Sequence, residues 1–276
     1  MGKTIFVLLD ACGYKTGTEY LGYLEHMVDY GLAAKYKVRG ELPSMSRPMY
    51  ETLMTGTPSH VHGITCNEIV RRSHQVSIFN LCREAGLVSG AAAYFWMSEL
   101  YNRAPFDKHR DRIQFAAGDG LIDYGMYYWE DTYPDSHLFM DGEMIRKMYH
   151  PDFMLYHPMS IDLAGHTYGA GSREYAGKVA DMGVIIADIL PSWLEDGYQV
   201  VVTADHGMDE NGIHCGIEDL QRDVPLYILS PLVENGRFED HYIGQRSIAP
   251  MLCRLLGLPA SEAMISPDEI HFKASL

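Results

Sequence analysis

Basic residues are scarce in this chain. Its 22 lysines and arginines stand against 37 aspartates and glutamates, a formal net charge of −15 over 276 residues. A surface this acidic repels nucleic-acid polymers and anionic bilayers, so neither is expected as a partner. A small anionic substrate stays open, because bound divalent cations invert the local field. Long apolar runs are also missing. The N-terminal run Ile5–Leu9 stops at Asp10, too short for a secretory core or for crossing a bilayer. Cysteine is sparse and odd in number: Cys12, Cys66, Cys82, Cys215 and Cys253, with no C-x-x-C pair. That argues against a disulfide framework and for a reducing compartment, so a cytoplasmic location is expected. There are no internal repeats and no low-complexity tracts. With 47% hydrophobic residues, the chain has enough apolar material to bury a large core unaided.

What is present is an alternation of short apolar runs with longer amphipathic segments. Strands are predicted at 4–9, 88–95, 153–157, 199–203 and 224–229. Helices are predicted at 18–30, 48–55, 76–85, 173–194 and 246–256, with Pro191 kinking the fourth and Gly257 then Pro259 stopping the last. This rhythm predicts an α/β fold: a mostly parallel, doubly wound sheet with helices on both faces, in one domain spanning 1–276. Residues 97–150, rich in Tyr, Asp and Phe, break the rhythm. They are read as a cap inserted over the C-terminal edge of the sheet or, equally, as a surface excursion of the same domain, and the Tyr124–Trp129 aromatics as the cap's core or as a stacking surface for a substrate. The acid run 234–240 is read as a solvated loop.

Sites on open α/β sheets form beyond the C-terminal ends of strands. Asp10 directly follows the first strand. Asp205 and His206 follow the strand at 199–203, in "VVTADHGM", with His214 eight residues on. Asp162 and His166 follow the strand at 153–157, in "HPMSIDLAGHTYG". Three aspartates brought together repel unless cations sit between them. Carboxylate with imidazole suits Zn²⁺ and also Mn²⁺ or Fe. The four-residue spacing of Asp162 and His166 is one helical turn, so both can face one point. Gly207 supplies freedom for the tight loop carrying Asp205 and His206. Each fragment alone also reads as a turn aspartate or a structural histidine. Ser46, just ahead of the helix at 48–55, would expose its oxygen beside N–H groups of a helix N-terminus, an environment favourable to phosphate. Its bland alternative, shared with Ser44, is helix capping.

The chain order is an aspartate after the first strand, then P-S-x-S-x-P, T-G-T-P-S-H-x-H-G-I, D-x-x-G-H-x-x-G, A-D-H-G-M and H-x-G. It resembles the alkaline phosphatase superfamily, in particular the type I phosphodiesterase/nucleotide pyrophosphatase family. The resemblance implies an enzyme with two divalent metal ions, zinc foremost. One would be held by Asp162, His166 and His214, the other by Asp10, Asp205 and His206, with Ser46 as nucleophile and ligand to the second. It implies hydrolysis of phosphodiesters or nucleotide pyrophosphates through a phosphoseryl intermediate. It also implies that Asn67, in "HGITCN", donates to a phosphoryl oxygen. Phosphomonoester or phosphonate hydrolysis on the same machinery is the alternative, and a non-catalytic metal- or nucleotide-binding protein a more distant one. Two departures bear on this. The family's Asn-His after the proline is Met49-Tyr50 here. Arg47 stands beside the nucleophile in place of a common aromatic, within reach of a phosphate, a substrate carboxylate or solvent. Sulfatases carry C/S-x-P-x-R, and Ser46-Arg47-Pro48-Met49-Tyr50 lacks that final arginine.

Overall fold

The computed structural model describes residues 2–115, 118–265 and 269–274. The strands are β1 (Lys3–Leu8), β2 (Ala34–Arg39), β3 (Ser89–Tyr94), β4 (Ile113–Phe115), β5 (Tyr124–Tyr128), β6 (Phe153–Tyr156), β7 (Tyr198–Thr203), β8 (Asp223–Leu229) and β9 (Gly236–Gly244). The helices are α1 (Tyr14–Tyr20), α2 (Gly22–Asp29), α3 (Ser46–Thr55), α4 (Ser59–His62), α5 (Ile78–Glu84), α6 (Trp96–Tyr101), α7 (Lys108–Asp111), α8 (Asp135–Tyr149), α9 (Ser160–Tyr168), α10 (Arg173–Glu195), α11 (Asp219–Arg222) and α12 (Ile248–Leu256).

All nine strands form one sheet in the order β4-β5-β3-β6-β1-β7-β8-β2-β9. The stretch β5-β3-β6-β1-β7 is parallel throughout. β4, β8 and β2 add antiparallel pairs, and β9 runs parallel to β2. The parallel strands are apolar along their length because helices cover both faces. Helices α3, α5 and α12 pack together on one face, and α1, α2, α8, α9 and α10 pack on the other. The sheet is thus mixed, with the expected parallel centre and two helical layers. Among the described residues no helix is long and apolar enough to cross a membrane.

The segment 97–150 is woven into this frame. It supplies β4 and β5 to the sheet and lays α8 across β3, β5 and β6, so the expected cap is an edge of the central layer itself. Its aromatics are mostly packing: Tyr124 stacks on Tyr149 with ring centroids 3.8 Å apart, and Tyr127 and Tyr128 are buried. The acid run is not a loop either. Residues from 236 onward form β9, where Glu239 pairs with the buried Lys35 at 2.9 Å. Helix α10 runs through Pro191 to Glu195, and the expected helix over 18–30 divides into α1 and α2 at Leu21. Glu143 anchors the layer beneath the site. This buried carboxylate accepts from Tyr156 Oη, Trp193 Nε1 and two guanidinium nitrogens of Arg146.

Candidate metal and nucleophile centre

Parallel strands all point one way, so the residues that leave their C-terminal ends converge. Asp10 lies just beyond β1, Asp205 and His206 just beyond β7, and Asp162 and His166 on α9, which follows β6. His214 arrives from the loop between β7 and α11. Ser46 opens α3, which packs against α12 on the sheet's other face. These seven side chains form one continuous cluster. Ser46 Oγ is 3.1 Å from His206 Nε2. That nitrogen lies 3.3 Å from Asp205 Oδ2 and 3.6 Å from Asp10 Oδ1. The His206 ring stacks on His214 at 4.0 Å. His214 Nε2 is 3.2 Å from His166 Nε2, and both face Asp162 Oδ1, at 4.0 and 3.5 Å.

The grouping differs in one respect from the expected division. Asp162, His166 and His214 form one set of donor atoms close enough to share an ion, as expected. Asp10 and His206 form the other with Asp162, which stands between the two sets. Asp205 joins that second set through His206, while its Oδ1 accepts the Ala11 N–H at 3.1 Å.

Proton positions follow from the outer partners. His166 Nδ1 faces the Gly212 carbonyl at 2.9 Å, His206 Nδ1 the Gly207 carbonyl at 2.9 Å, and His214 Nδ1 the Ser44 carbonyl at 3.0 Å. Carbonyls only accept, so in the neutral ring each Nδ1 carries the proton and each Nε2 turns a lone pair inward. Two lone pairs at 3.2 Å repel unless something positive lies between them. The carboxylates say the same. Asp10 Oδ1, Asp162 Oδ1 and Asp205 Oδ2 are buried and accept no hydrogen bond. Burial, then the charge of Asp205, pushes Asp10 up to about 8. Burial likewise drives Asp162 and Asp205 well above the usual carboxylate range. Burial, then neighbouring His206 and His166, lowers His214 to about 2. Imidazole Nε2 atoms and orphaned carboxylate oxygens aimed at a common space fit divalent cations in an N/O donor set.

The loop ahead of Ser46 is held tightly. Ser44 is fully buried, its hydroxyl donating to the Gly216 carbonyl at 3.0 Å and its carbonyl accepting the Cys215 N–H at 2.8 Å. Ser44 is therefore committed, and Ser46 is the serine whose oxygen reaches the cluster. Neither serine caps α3, whose N-cap residue is Met45. The helix N-terminus also has little to offer an anion. The Arg47 N–H goes to Asn67 Oδ1 at 3.0 Å, Pro48 has none, and the Met49 N–H bonds the Met45 carbonyl. That leaves the N–H of Ser46 itself. Asn67, anchored through Oδ1, keeps its Nδ2 as a donor.

Arg47 turns into the protein, away from solvent. It is 1% exposed, pairs with Glu99 at 2.8 Å and lies over the Trp96 ring at 4.5 Å. In the H-x-H-G-I motif, the Ile64 N–H donates to His62 Nδ1 at 3.1 Å, so Nε2–H faces Thr52 Oγ1 at 3.1 Å and ties α4 to α3. His60 stays exposed. Of the thiols beside the cluster, Cys12 is buried and Cys66 half-buried, as small apolar residues would be, but Cys215 is exposed. Gly207 is needed for a close approach, since a Cβ there would lie 2.1 Å from the Leu220 carbonyl oxygen. Two neighbours of Asp10 carried no sequence signal beyond position. Tyr50 stands one turn after Ser46, and His157 is the first residue past β6.

Comparison with known proteins adds the following. The sequence model of a family described as type I phosphodiesterase / nucleotide pyrophosphatase matches residues 4–226. Human GPI ethanolamine phosphate transferase 2, catalytic subunit, is 24% identical over 93% of this chain and 26% of its own length. Human GPI ethanolamine phosphate transferase 3, catalytic subunit, is 34% identical over 39% of this chain and 10% of its own length. The chain thus spans about a quarter or less of these relatives. Among solved structures, an inactive murine ectonucleotide pyrophosphatase/phosphodiesterase 5 in complex with AMP superposes with a TM-score of 0.74 at 13% identity, covering 98% of this chain and all of that one. A phosphonate monoester hydrolase from Silicibacter pomeroyi superposes with a TM-score of 0.63 at 14% identity, covering 96% of this chain and 75% of that one.

Proposed function

As this chain belongs to the type I phosphodiesterase/nucleotide pyrophosphatase family of the alkaline phosphatase superfamily, we propose that it cleaves phosphodiesters through Ser46 in a two-cation site. The observation that carries the reading is the convergence of three orphaned carboxylate oxygens and three inward imidazole lone pairs beside the Ser46 hydroxyl. Asp162, His166 and His214 would hold one ion. Asp10, His206 and Asp205 would hold the other, with Asp162 between the two. Zinc suits the donors best, with manganese or iron as alternatives. Bound cations supply charge neutralisation on phosphate and lower the pKa of a coordinated hydroxyl. The chain's own part is positional. Ser46 Oγ attacks phosphorus in line, the bond to the leaving oxygen breaks, the hydroxyl proton ends on the departing alcohol, and a phosphoseryl enzyme that keeps the diester's other ester group results. Asn67 Nδ2 donates to a phosphoryl oxygen, a contact worth ~3 kcal/mol when aimed at developing charge. A second oxygen nucleophile then releases the phosphoryl group from Ser46.

When that second nucleophile is water, the reaction is hydrolysis. When it is an alcohol, the reaction is transfer, a reading favoured by the transferase relatives in the comparisons. The test is a substrate panel with metal-reconstituted protein: bis-p-nitrophenyl phosphate, p-nitrophenyl phosphate and phosphonoacetate, each with and without added ethanolamine or glycerol. Diester cleavage well above monoester cleavage is expected. A phosphorylated alcohol among the products would make it a transferase. Faster turnover of the monoester or the phosphonate would overturn the diester assignment.

A further inference from the structure

The Asp10 carboxylate is held from one side only. Its Oδ2 accepts the Tyr50 hydroxyl and also His157 Nε2 at 3.2 Å. The proton on that nitrogen is fixed from behind, because the Tyr94 N–H donates to His157 Nδ1 at 3.4 Å and leaves Nε2 as the donor. The Tyr50 and His157 rings meet edge to face at 4.6 Å, and both residues are fully buried. The other oxygen, Oδ1, has no hydrogen-bond partner and faces His206. A carboxylate saturated on one oxygen and bare on the other has a single orientation.

We infer that Tyr50 and His157 are positioning residues that aim Asp10 Oδ1 at the cation site and, through α3, set the nucleophile in register with it. The inference rests on the metal reading above. Ser46 and Tyr50 are four residues apart on α3, hence on one face of it. The same helical turn therefore presents the Ser46 hydroxyl to His206 and the Tyr50 hydroxyl to Asp10. His157 brings the end of β6 to the same carboxylate oxygen. Three elements far apart in sequence meet at one atom. A rotation of the Asp10 carboxylate would break two hydrogen bonds between buried groups.

Outer partners of metal ligands contribute about 10–100-fold to metal affinity. The test titrates Zn²⁺ into the metal-free protein by calorimetry, with turnover of bis-p-nitrophenyl phosphate followed in parallel. Tyr50→Phe removes one oxygen and keeps the ring packing. His157→Leu removes the second donor, and His157→Gln restores an N–H in its place. Tyr101→Phe is the control, a buried tyrosine that donates to Glu51 at 2.8 Å away from the cluster. Expected is a 10–100-fold weakening of one of two Zn²⁺ binding events in Tyr50→Phe and His157→Leu. Partial recovery is expected in His157→Gln, and no change in Tyr101→Phe. Turnover lost in Tyr50→Phe should return as Zn²⁺ is raised, which a packing defect would not allow. Wild-type Zn²⁺ affinity in both Tyr50→Phe and His157→Leu overturns the inference and leaves the metal reading standing. A wild-type protein that binds neither Zn²⁺ nor Mn²⁺ overturns both.

Discussion

At the scale of single residues, neighbours one position apart have opposite fates. Ser46 presents its oxygen to the cluster, while Arg47 points into the protein and is sealed between Glu99 and Trp96. Ser46→Ala should keep its metal content and fold but lose turnover by about a thousandfold or more, read as kcat alongside metal analysis. Retained activity would remove Ser46 from the chemistry. Arg47→Met should behave in the opposite sense. It leaves the Glu99 carboxylate, 3% exposed, without its partner, a loss of ~3–5 kcal/mol in urea unfolding. Adding Glu99→Gln should recover much of that, because the amide oxygen can still accept the Phe106 N–H that Glu99 Oε1 now takes at 2.9 Å. If the double variant is no more stable than Arg47→Met, the cost does not come from a stranded charge.

At the scale of elements, strand ends and helix starts matter more than helix interiors. β1, β6 and β7 deliver the candidate ligands because they are parallel neighbours, and α3 delivers the serine from the opposite face. The loop after β7 carries Asp205, His206 and His214 and passes close to α11. Gly207 is the contact point, its N–H donating to the Gln221 carbonyl at 2.9 Å. Gly207→Ala should force this loop away from Leu220. A loss of ~1–3 kcal/mol from overpacking is expected in thermal unfolding, with a larger fractional loss in Zn²⁺ affinity as His206 moves. Unchanged affinity would mean the loop tolerates the shift. The elements least legible beforehand were the outer strands β4, β5, β2 and β9. β2 reads AKYKVR, with Ala34, Tyr36 and Val38 buried on one face. Its cations on the other are matched by carboxylates that arrive from distant segments: Glu25 and Glu239 on Lys35, and Asp223 on Lys37 and Arg39.

At the scale of the whole molecule, an acidic chain concentrates three carboxylates that no lysine or arginine among the described residues pairs with. In the metal-free protein, Asp10 titrates near 8 rather than at its ordinary 3.8 because of burial, and Asp162 and Asp205 are raised with it. Between about 4 and 8 the folded state therefore holds protons that the unfolded chain has released. The carboxylates' contribution to its stability falls as pH rises through that window. His214 and His157, lowered by burial to about 2 and about 3, act oppositely, costing stability as pH falls below the ordinary histidine value of 6.5. Above 6.5 only the carboxylate trend remains. Glu51, pushed up to about 7 by burial, contributes to it with or without metal. The difference between metal-loaded and metal-free Tm isolates the site. It should widen from pH 6.5 to 8, as cations take over from protons. A difference that stays flat or narrows would show that these carboxylates do not exchange protons for metal.

Residue order alone sufficed for the parallel centre of the sheet, because a strand covered on both faces must be apolar along its length. It also determined which residues leave the strand ends, and the order of motifs that marks the family. Only the tertiary structure decided the rest. The placing of Asp162 between both ligand sets, the inward turn of three Nε2 lone pairs, the burial of Arg47 and the grip of Tyr50 and His157 on Asp10 all depend on partners over a hundred positions away or on separate elements. The merging of 97–150 into the sheet does so too. Periodicity records whether a segment is buried, but a polar atom's partner is fixed by packing, where burial makes every unmatched donor or acceptor costly.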